Sequence, residues 1–391
     1  MRILISPELF FPDVFGGGEH FAYNVAKVLV KRGNEVHVLA PRTSTAFPSR
    51  LLPAQEFIEG IKVHRVIGQF QYRSGRGVIP YSTRLQMEAK QIIKDEGIEI
   101  VNPPAFRPCL PLYLASYNNI PSVATFHDIY SRGRAFGAEN WIRIYSGWGL
   151  LGWGMEQIIL RLPYTRVATV SNTVKAKLRK YFDPSRIDVV FFGIDLSVFP
   201  SKRTQKVRGR VLYLGRMIQY KNVQDAIAAM DIVQERNKEA HILFAGSGPL
   251  SNEIAELCRR RKFARYLGRV DQDEKIRLLA EAQVIVLPSS EEGWGITLME
   301  ANAAFTPYVA YDIPAVNELT RTLKGGMLAE HRNIRNLAAK ISVLIEKPEI
   351  GISLAQQGRT AIERDFTWEA VASRLEKSLH KALNSYFATT S

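Results

Sequence analysis

"PSSEEGWGITLMEANA", residues 288–303, joins an apolar run to a glycine-broken turn that has acidic residues on both sides. The preceding run VIVLP, residues 284–288, is typical of a buried strand, and the apolar spacing from Ile296 onward predicts a helix. Glu292 precedes this helix, whereas Glu300 lies within it. Glu300 is either a site residue or an ordinary solvated carboxylate. Strand, turn and helix in this order are the parts of a βαβ unit.

Short apolar runs rich in β-branched residues alternate with amphipathic segments of helical length along the whole chain, as in parallel βαβ folds. The alternation starts with RILIS at 2–6 and restarts with RVLYLGR at 210–216. A polar, Pro-bearing and Lys/Arg-rich segment at 191–209 separates the two halves. The sequence therefore predicts an α/β fold of two doubly wound, Rossmann-like domains that face each other across a cleft.

Composition is that of a globular protein, since 46% of the 391 residues are hydrophobic and 23% are charged. The net charge of +14 divides unevenly: residues 1–190 hold 24 basic and 15 acidic residues (+9), and the remainder holds 28 and 23 (+5). This excess indicates an anionic partner, either a phosphorylated ligand, a membrane surface or nucleic acid, or else only a basic surface. Nucleic acid is disfavoured, because Glu292 and Glu300 would repel a phosphate backbone.

Two features bear on the compartment. Cys109 and Cys258 lack partners at metal or redox spacing, and the start MRILISPELF has no signal-peptide pattern, so a reducing, cytoplasmic location is expected. The Trp-rich segment 141–162 is interrupted by Arg143 and Glu156, which argues against a transmembrane helix. It is either a buried helix and loop or an interfacial segment on a bilayer.

Ligands of open parallel sheets bind beyond the carboxyl ends of the strands, so the residues that follow each strand are the candidates for a binding site. FGGGEH, residues 15–20, opens a helix after the first strand, where glycines either approach a phosphate or form a structural turn. His127 and Asp128 follow the strand SVATF; His127 is either a site residue or an ordinary hydrogen-bonded histidine, and Asp128 is a candidate to orient it.

The second half repeats this arrangement. GRMIQYKN, residues 215–222, places Arg216 and Lys221 after a strand, and two cations there suit a diphosphate. The helix that starts near Ile296 offers N–H groups to an anion, and Glu292 is placed to accept hydrogen bonds from sugar hydroxyls. Asp271 is interpreted as a helix N-cap and not as part of an Asp-x-Asp metal site.

Taken together, these motifs resemble one known family. EEGWGITLMEANA looks like the E-x7-E signature of retaining glycosyltransferases of the GT-B fold, family 4. Counterparts of other family motifs follow in the family's order over essentially the whole chain: GGGEHFAYNVAKVLVKRGNEVHVLAP, TFHD, VATVSNTVKAKL, FGIDLSVF, LYLGRMIQYKN, FAGSGP, YLGRV and DFTWEAVA. The joint order of these motifs is far more specific than any one of them.

The resemblance implies transfer of a sugar from a nucleotide-diphosphate donor with retained anomeric configuration, and with neither a metal nor another cofactor. Arg216 and Lys221 would hold the departing diphosphate, Glu292 the sugar hydroxyls and Glu300 the ribose. His127 would lie by the reacting carbon and stabilise developing charge. The remaining donor-binding positions that it implies are Gly16, Gly17, Gly215, Gly293, Trp294, Gly295, Ile296, Thr297 and Val270.

The domains would be an acceptor domain at 1–191 and a donor domain at 192–369, with a final helix at about 370–391 that packs back on the first. Phe192 stands where the family usually has Asn, and Phe305 where it usually has Gly before TP, which adds bulk near the interdomain side or the donor pocket. Residues 101–106, VNPPAF, lack a His that the family often carries.

Several alternatives stay open. The acceptor is either a glycan precursor or lipid-linked, and in the second case the protein would contact the anionic inner face of a membrane. An inverting transferase or a nucleotide-sugar epimerase on the same scaffold is the rival enzyme. A noncatalytic protein that binds nucleotide sugars or nucleic acid is the rival from another class.

Overall fold

The computed structural model describes residues 1–13, 16–42, 51–67, 78–129 and 148–390. The chain forms two compact units, one of residues 1–193 with 368–391 and one of residues 194–367. The borders that the sequence predicts, after residues 191 and 369, each lie two residues from these. Of the Trp-rich segment, residues 141–147 lie outside the described residues.

The N-terminal unit is built on parallel strands. Its described strands are β1 (Arg2–Ile5), β2 (Glu35–Pro41), β3 (Gln55–Ile58), β4 (Ile61–Val66), β5 (Ile100–Asn102), β6 (Val123–Phe126), β7 (Arg166–Thr169) and β8 (Ile187–Val189). Its described helices up to β8 are α1 (Gly17–Lys31), α2 (Val78–Asp95), α3 (Phe106–Ser116), α4 (Trp148–Ile159) and α5 (Asn172–Leu178).

The strands are ordered β3-β4-β2-β1-β5 and β6-β7-β8, and a bridge between Val101 and Ser122 connects the two sets. All pairs are parallel except the edge hairpin β3/β4, which the sequence analysis did not predict. β3 has only four residues, QEFI, and its Phe57 is 74% exposed. The run therefore lacks the alternation of buried apolar and exposed polar residues that predicts a strand. Helix α3 was also missed, because Pro108 and Pro111 in it are typical of loops.

The C-terminal unit is a second wound sheet. Its strands are β9 (Arg210–Leu214), β10 (His241–Ala245), β11 (Ala264–Gly268), β12 (Val284–Leu287), β13 (Tyr308–Tyr311) and β14 (Gly326–Ala329). Its α-helices are α6 (Val223–Arg236), α7 (Ser251–Arg259), α8 (Gln272–Glu281), α9 (Ile296–Ala303), α10 (Pro314–Leu323), α11 (Ile334–Glu346) and α12 (Pro348–Asp365).

All strand pairs of this sheet are parallel, and their order is β11-β10-β9-β12-β13-β14. Counted from the start of the unit, this is the 3-2-1-4-5-6 order of a Rossmann fold, in which ligands bind where the order reverses. That point lies between β9 and β12. The loops after these two strands are GRMIQYKN and PSSEEGWG, which the sequence analysis selected for their charges.

The chain enters and leaves the C-terminal unit at adjacent points. Ile194 and Thr367 form a parallel bridge, and the Ile194 amide donates to the Phe366 carbonyl at 2.8 Å. The chain then continues as α13 (Trp368–Thr390) in the N-terminal unit.

Helix α13 is fixed on the N-terminal unit by aromatic and polar contacts. The Trp368 ring meets Phe192 edge to face with centroids 5.0 Å apart, and Phe192 is buried in this contact. Glu376 accepts from Arg32 at 2.7 Å and from Asn34 at 2.6 Å. The bulk of Phe192 is thus part of this unit's own core.

No helix in the described part of the chain combines the length and the apolar composition that crossing a bilayer requires.

Candidate active site

The loops after β9 and β12 are joined by a buried asparagine. The Asn222 side-chain amide donates to the Pro288 carbonyl at 2.8 Å and to Ser290 Oγ at 2.6 Å. The Ser290 amide donates in turn to the Tyr220 carbonyl at 2.8 Å. Asn222 has a left-handed backbone, with φ of 46°, which Asn tolerates better than most residues. The sequence motif contains Asn222, but its role as a link between two distant loops was not predicted.

We expect Asn222→Ala to lower the free energy of unfolding of the C-terminal unit by about 3 kcal/mol. The substitution leaves the buried Pro288 carbonyl without its donor and puts alanine in a left-handed conformation. Urea unfolding followed by circular dichroism measures the change. Asn237→Ala, at the end of α6, is the matched control. Equal stability of the Asn222 variant and wild type would contradict the prediction.

Lys221 and Glu292 form an ion pair where these loops meet. Lys221 Nζ lies 2.5 Å from Glu292 Oε1, and each side chain is 13% exposed. The two residues are 71 positions apart in the sequence, so only the sheet order brings them together. The cation and the carboxylate that the resemblance assigns to the two halves of one donor are therefore neighbours in the structure.

Arg216 lies in the same loop as Lys221. Its guanidinium donates to Tyr220 Oη at 2.6 Å, and its carbonyl accepts from Tyr213 Oη at 3.0 Å. Because Tyr213 is fully buried, it anchors the main chain of the loop. The Arg216 guanidinium remains at the surface, where an anion can reach it.

The glycine turn after β10 packs directly against this loop. A Cβ at Gly246 would lie 1.9 Å from the Gly215 carbonyl oxygen, and one at Gly248 would lie 2.5 Å from the Met217 carbonyl oxygen. Any side chain at either position would push the Arg216 loop out of place. The AGSGP turn is thus explained by close backbone approach in support of the neighbouring loop.

The N-terminus of α9 completes this edge of the sheet. Gly295 precedes the helix with φ of 101°, a left-handed conformation that suits glycine, and no side chain caps the helix. The first amides of a helix, here those of Ile296 and Thr297, have no partner within the helix and carry the positive end of its dipole. Glu292 lies four residues before Ile296 in the sequence.

Trp294 has a structural role in this turn. Its side chain is 3% exposed, its indole N–H donates to Met299 Sδ at 3.0 Å, and its ring lies 5.9 Å from that of Phe366. The indole is packed in the core of the C-terminal unit. Any contact of Trp294 with a ligand therefore has to come from its main chain.

Glu300 is paired with a lysine that the sequence analysis missed. Lys275 Nζ lies 2.8 Å from Glu300 Oε1, with the side chains 20% and 17% exposed. Lys275 belongs to the first turn of α8, and Asp271 caps this helix by accepting from the Glu274 amide at 2.8 Å, which confirms the predicted N-cap. Val270, just before the cap, is half-buried. A search of first helical turns after strands for basic residues would have found Lys275.

Phe305 lies at the other end of α9 from these groups. It follows the helix with φ of 55°, and the Arg359 guanidinium covers its ring at 5.0 Å from the centroid. Arg359 also donates to the Ala303 carbonyl at 2.5 Å. An eight-residue helix is about 12 Å long, so the ring is far from the N-terminal amides of α9. The bulk of Phe305 fills the C-terminal end of the helix.

In the N-terminal unit, His127 lies against the glycines that open α1. A Cβ at Gly18 would lie 3.7 Å from His127 Cδ2, and the ring meets Phe21 edge to face at 5.0 Å. Gly16 is the N-cap of α1, and Gly17 is its first residue. Asp128 does not orient His127: the ring's hydrogen bond goes to the Pro104 backbone, and the Asp128 carboxylate accepts from Lys177 at 2.8 Å.

The protonation of His127 follows from its surroundings. Burial lowers the pKa of His127 to about 4, although a hydrogen bond to the Pro104 backbone opposes the shift. The ring is therefore neutral at pH 7. Among the described residues its buried Nε2 has no hydrogen-bond partner, so it can accept from a ligand hydroxyl.

His127 should make the N-terminal unit sensitive to acid. Its folded pKa of about 4 lies below the unfolded value, so the unfolded chain binds more protons between pH 6.5 and 4. The free energy of unfolding should therefore fall by about 3 kcal/mol as the pH falls through this window. Urea unfolding from pH 7 to 4 should show a shallower dependence in His127→Gln. The exposed His380→Gln is the control, and an unchanged slope in His127→Gln would contradict the assignment.

Comparison with known proteins identifies this arrangement. Sucrose-phosphate synthase from Thermosynechococcus elongatus superposes with a TM-score of 0.78 and 18% identity over 100% of both chains. HepE from Anabaena, solved in complex with UDP-glucose, superposes with a TM-score of 0.74 and 16% identity over 97% of this chain and 99% of that one. The fold is therefore GT-B.

The sequence comparisons give the family. Residues 15–198 match the family described as "Glycosyltransferase Family 4", and residues 197–363 match the family described as "Glycosyl transferases group 1". The chain belongs to the group 1 glycosyltransferases. It is 26% identical to a glycogen synthase of Mycobacterium tuberculosis over 95% of this chain and 93% of the relative. It is 25% identical to a phosphatidyl-myo-inositol mannosyltransferase of Mycobacterium leprae over 96% and 95%.

Proposed function

We propose that the protein transfers a sugar from a nucleotide-diphosphate sugar to an acceptor hydroxyl, with retention of anomeric configuration and without a catalytic metal ion. The observation that carries this proposal is the Lys221–Glu292 pair at the point where the strand order reverses, next to the N-terminus of α9. Cations and free amides there suit a diphosphate, and a carboxylate suits sugar hydroxyls.

The charges account for the bond that breaks. As the anomeric carbon separates from the diphosphate, negative charge grows on the leaving oxygen, and preorganised donors stabilise it. Lys221, Arg216 and the amides of Ile296 and Thr297 supply these donors in place of a divalent ion. The acceptor proton passes to the leaving diphosphate, so no separate enzyme base is required.

Donor binding requires the Lys221–Glu292 pair to separate. Lys221 turns from Glu292 toward the diphosphate, and Glu292 becomes free to accept from sugar hydroxyls. Glu300 accepts from the ribose and stays paired with Lys275. The bound donor thereby takes the place of the direct contact between Lys221 and Glu292.

His127 serves this reaction as a neutral group. With a pKa of about 4 it carries no charge at pH 7, so it acts through the Nε2 lone pair and not as a cation. An acceptor of this kind positions a hydroxyl near the reacting carbon. A pKa of about 4 makes His127 a weak base at pH 7, which disfavours an inverting reaction in which His127 would be the base.

Two experiments test the proposal. A thermal-shift screen of nucleotides and nucleotide sugars should find one base series that raises the melting temperature, since a ligand that binds only the folded state stabilises it. Proton NMR of the product should then give the anomeric coupling of the donor. An inverted product, or a product epimerised without transfer, would refute the reaction type.

For the acceptor, we propose a lipid-linked hydroxyl at the anionic inner face of a membrane. Trp153, Met155 and Ile158 of α4 are 40%, 38% and 51% exposed, which is unusual for large apolar side chains so close together in sequence. The first half of the chain carries most of the net positive charge, and one relative is a mannosyltransferase named for a phosphatidyl lipid. A soluble glycan is the alternative acceptor, in keeping with the glycogen synthase relative.

The protein is expected to float with vesicles that contain anionic lipid at low salt, and to stay behind with neutral vesicles. Trp153→Ser with Ile158→Ser should reduce the bound fraction at least fivefold, because the apolar contact is lost. Ile352→Ser, exposed in the C-terminal unit, is the matched control. Absence of binding at low salt would remove the membrane proposal and leave the sugar transfer untouched.

A further inference from the structure

We propose that His37, His64 and Glu96 of the N-terminal unit form a binding site for a divalent transition-metal ion of the zinc class. The three side chains come from β2, from β4 and from the residue that follows α2. One ligand atom of each lies within 4.8 Å of the others. This site belongs to one unit and is independent of the sugar transfer proposed above.

The two imidazoles already have the separation that an ion requires. His37 Nδ1 and His64 Nε2 are 3.1 Å apart, and the rings are within 14° of parallel. Two nitrogen ligands of a tetrahedral zinc ion, each about 2.0–2.1 Å from the metal, are roughly 3.3 Å apart. Binding therefore needs little movement of either strand.

The outer nitrogens of both rings have partners of the kind that metal-bound histidines use. His37 Nε2 lies 3.0 Å from Glu35 Oε1, and His64 Nδ1 lies 3.3 Å from the Gln55 side-chain amide. A ligating histidine usually donates its second N–H to a carboxylate or carbonyl oxygen, which fixes the ring. Glu35 and Gln55 can perform this function.

Replacement of the hydrogen between the two histidines by a metal ion conserves protons. Without an ion, both contacts are satisfied when His37 Nε2–H donates to Glu35 and His64 Nε2–H donates to His37 Nδ1. The ion takes the place of that shared hydrogen, and the single proton of His64 moves to Nδ1. The Gln55 amide turns over so that its oxygen accepts from Nδ1–H. No proton is released in this exchange.

The third ligand, Glu96, is held by a competing cation. Lys62 Nζ lies 2.7 Å from both oxygens of Glu96. Both side chains are accessible, at 28% exposed for Lys62 and 24% for Glu96, so the ammonium can turn into water when an ion arrives. Nitrogen and carboxylate donors suit Zn²⁺, and a bound ion would tie β2, β4 and the end of α2 together.

Equilibrium dialysis of the full chain, prepared without a polyhistidine tag, against Zn²⁺ tests the proposal. Wild type should bind one ion per chain. His64→Gln and Glu96→Gln should bind at least a hundredfold more weakly, and Gln55→Leu about 10- to 100-fold more weakly. Lys62→Met should bind more tightly, because the cation that competes for Glu96 is gone. Circular dichroism confirms folding, and Glu96→Gln, at the surface, keeps the test valid if a histidine variant misfolds.

The control is His241→Gln in the C-terminal unit, which should bind zinc as wild type does. Zinc binding by wild type no tighter than by Glu96→Gln overturns the proposal, and so does weaker binding by Lys62→Met. Sugar transfer should proceed at the same rate after zinc is removed, so the outcome does not depend on the proposed reaction.

Discussion

Lys221→Ala is expected to lower kcat/KM for sugar transfer about 100- to 1,000-fold, the usual effect of removing one preorganised donor from a developing negative charge. Lys221 lies 2.5 Å from Glu292 in the loop that follows β9, and the proposed reaction moves its charge onto the leaving diphosphate. Initial rates with the donor that gives the largest thermal shift measure the effect. Lys238→Ala, exposed in the same unit, is the matched control.

A second substitution separates this role from simple charge pairing. If Lys221 served only to neutralise the largely buried Glu292, then adding Glu292→Gln to Lys221→Ala would raise activity to the level of Glu292→Gln alone. If Lys221 stabilises the leaving group, the double variant stays at least as slow as the single one. Recovery in the double variant would therefore refute the role proposed for Lys221.

Glu292→Gln is expected to lower kcat/KM about 10- to 100-fold, because a hydrogen bond from a sugar hydroxyl to a carboxylate is stronger than one to an amide. Its binding of the free nucleoside diphosphate should stay within about twofold of wild type or become tighter, since the proposed contact is to the sugar and Lys221 is released from its pair. Calorimetric titration measures this binding, and the exposed Glu253→Gln is the control. Markedly weaker diphosphate binding would assign Glu292 to another part of the ligand.

The sequence was sufficient for the fold class and for the charged loops. Regular alternation of β-branched runs with amphipathic segments predicts two wound sheets, and the strand-end rule selects Lys221 and Glu292 without knowledge of the strand order. The short edge strand β3 and the proline-containing α3 escaped because their local patterns are weak. Tertiary packing decides such elements.

Pairwise geometry is the part that sequence cannot supply. The Lys221–Glu292 and Lys275–Glu300 pairs connect residues 71 and 25 positions apart, and nothing local indicates their contact. The same holds for the bonds from Asn222 to Pro288, and for His37 and His64 on neighbouring strands. Glycine spacing likewise did not reveal that Gly246 and Gly248 support the Arg216 loop.

The C-terminal unit is an insertion into the N-terminal one, because residues 1–193 and 368–391 both belong to the N-terminal unit. The bridge between Ile194 and Thr367 holds the two ends of this insertion together. Both junctions lie side by side, so residues 194–367 could be exchanged as a single cassette with the matching segment of a relative. Such a chimera keeps α13 attached to the unit on which it packs. If, as we propose, the C-terminal unit binds the donor and the N-terminal unit the acceptor, donor preference should move with residues 194–367 and acceptor preference should stay with the recipient chain.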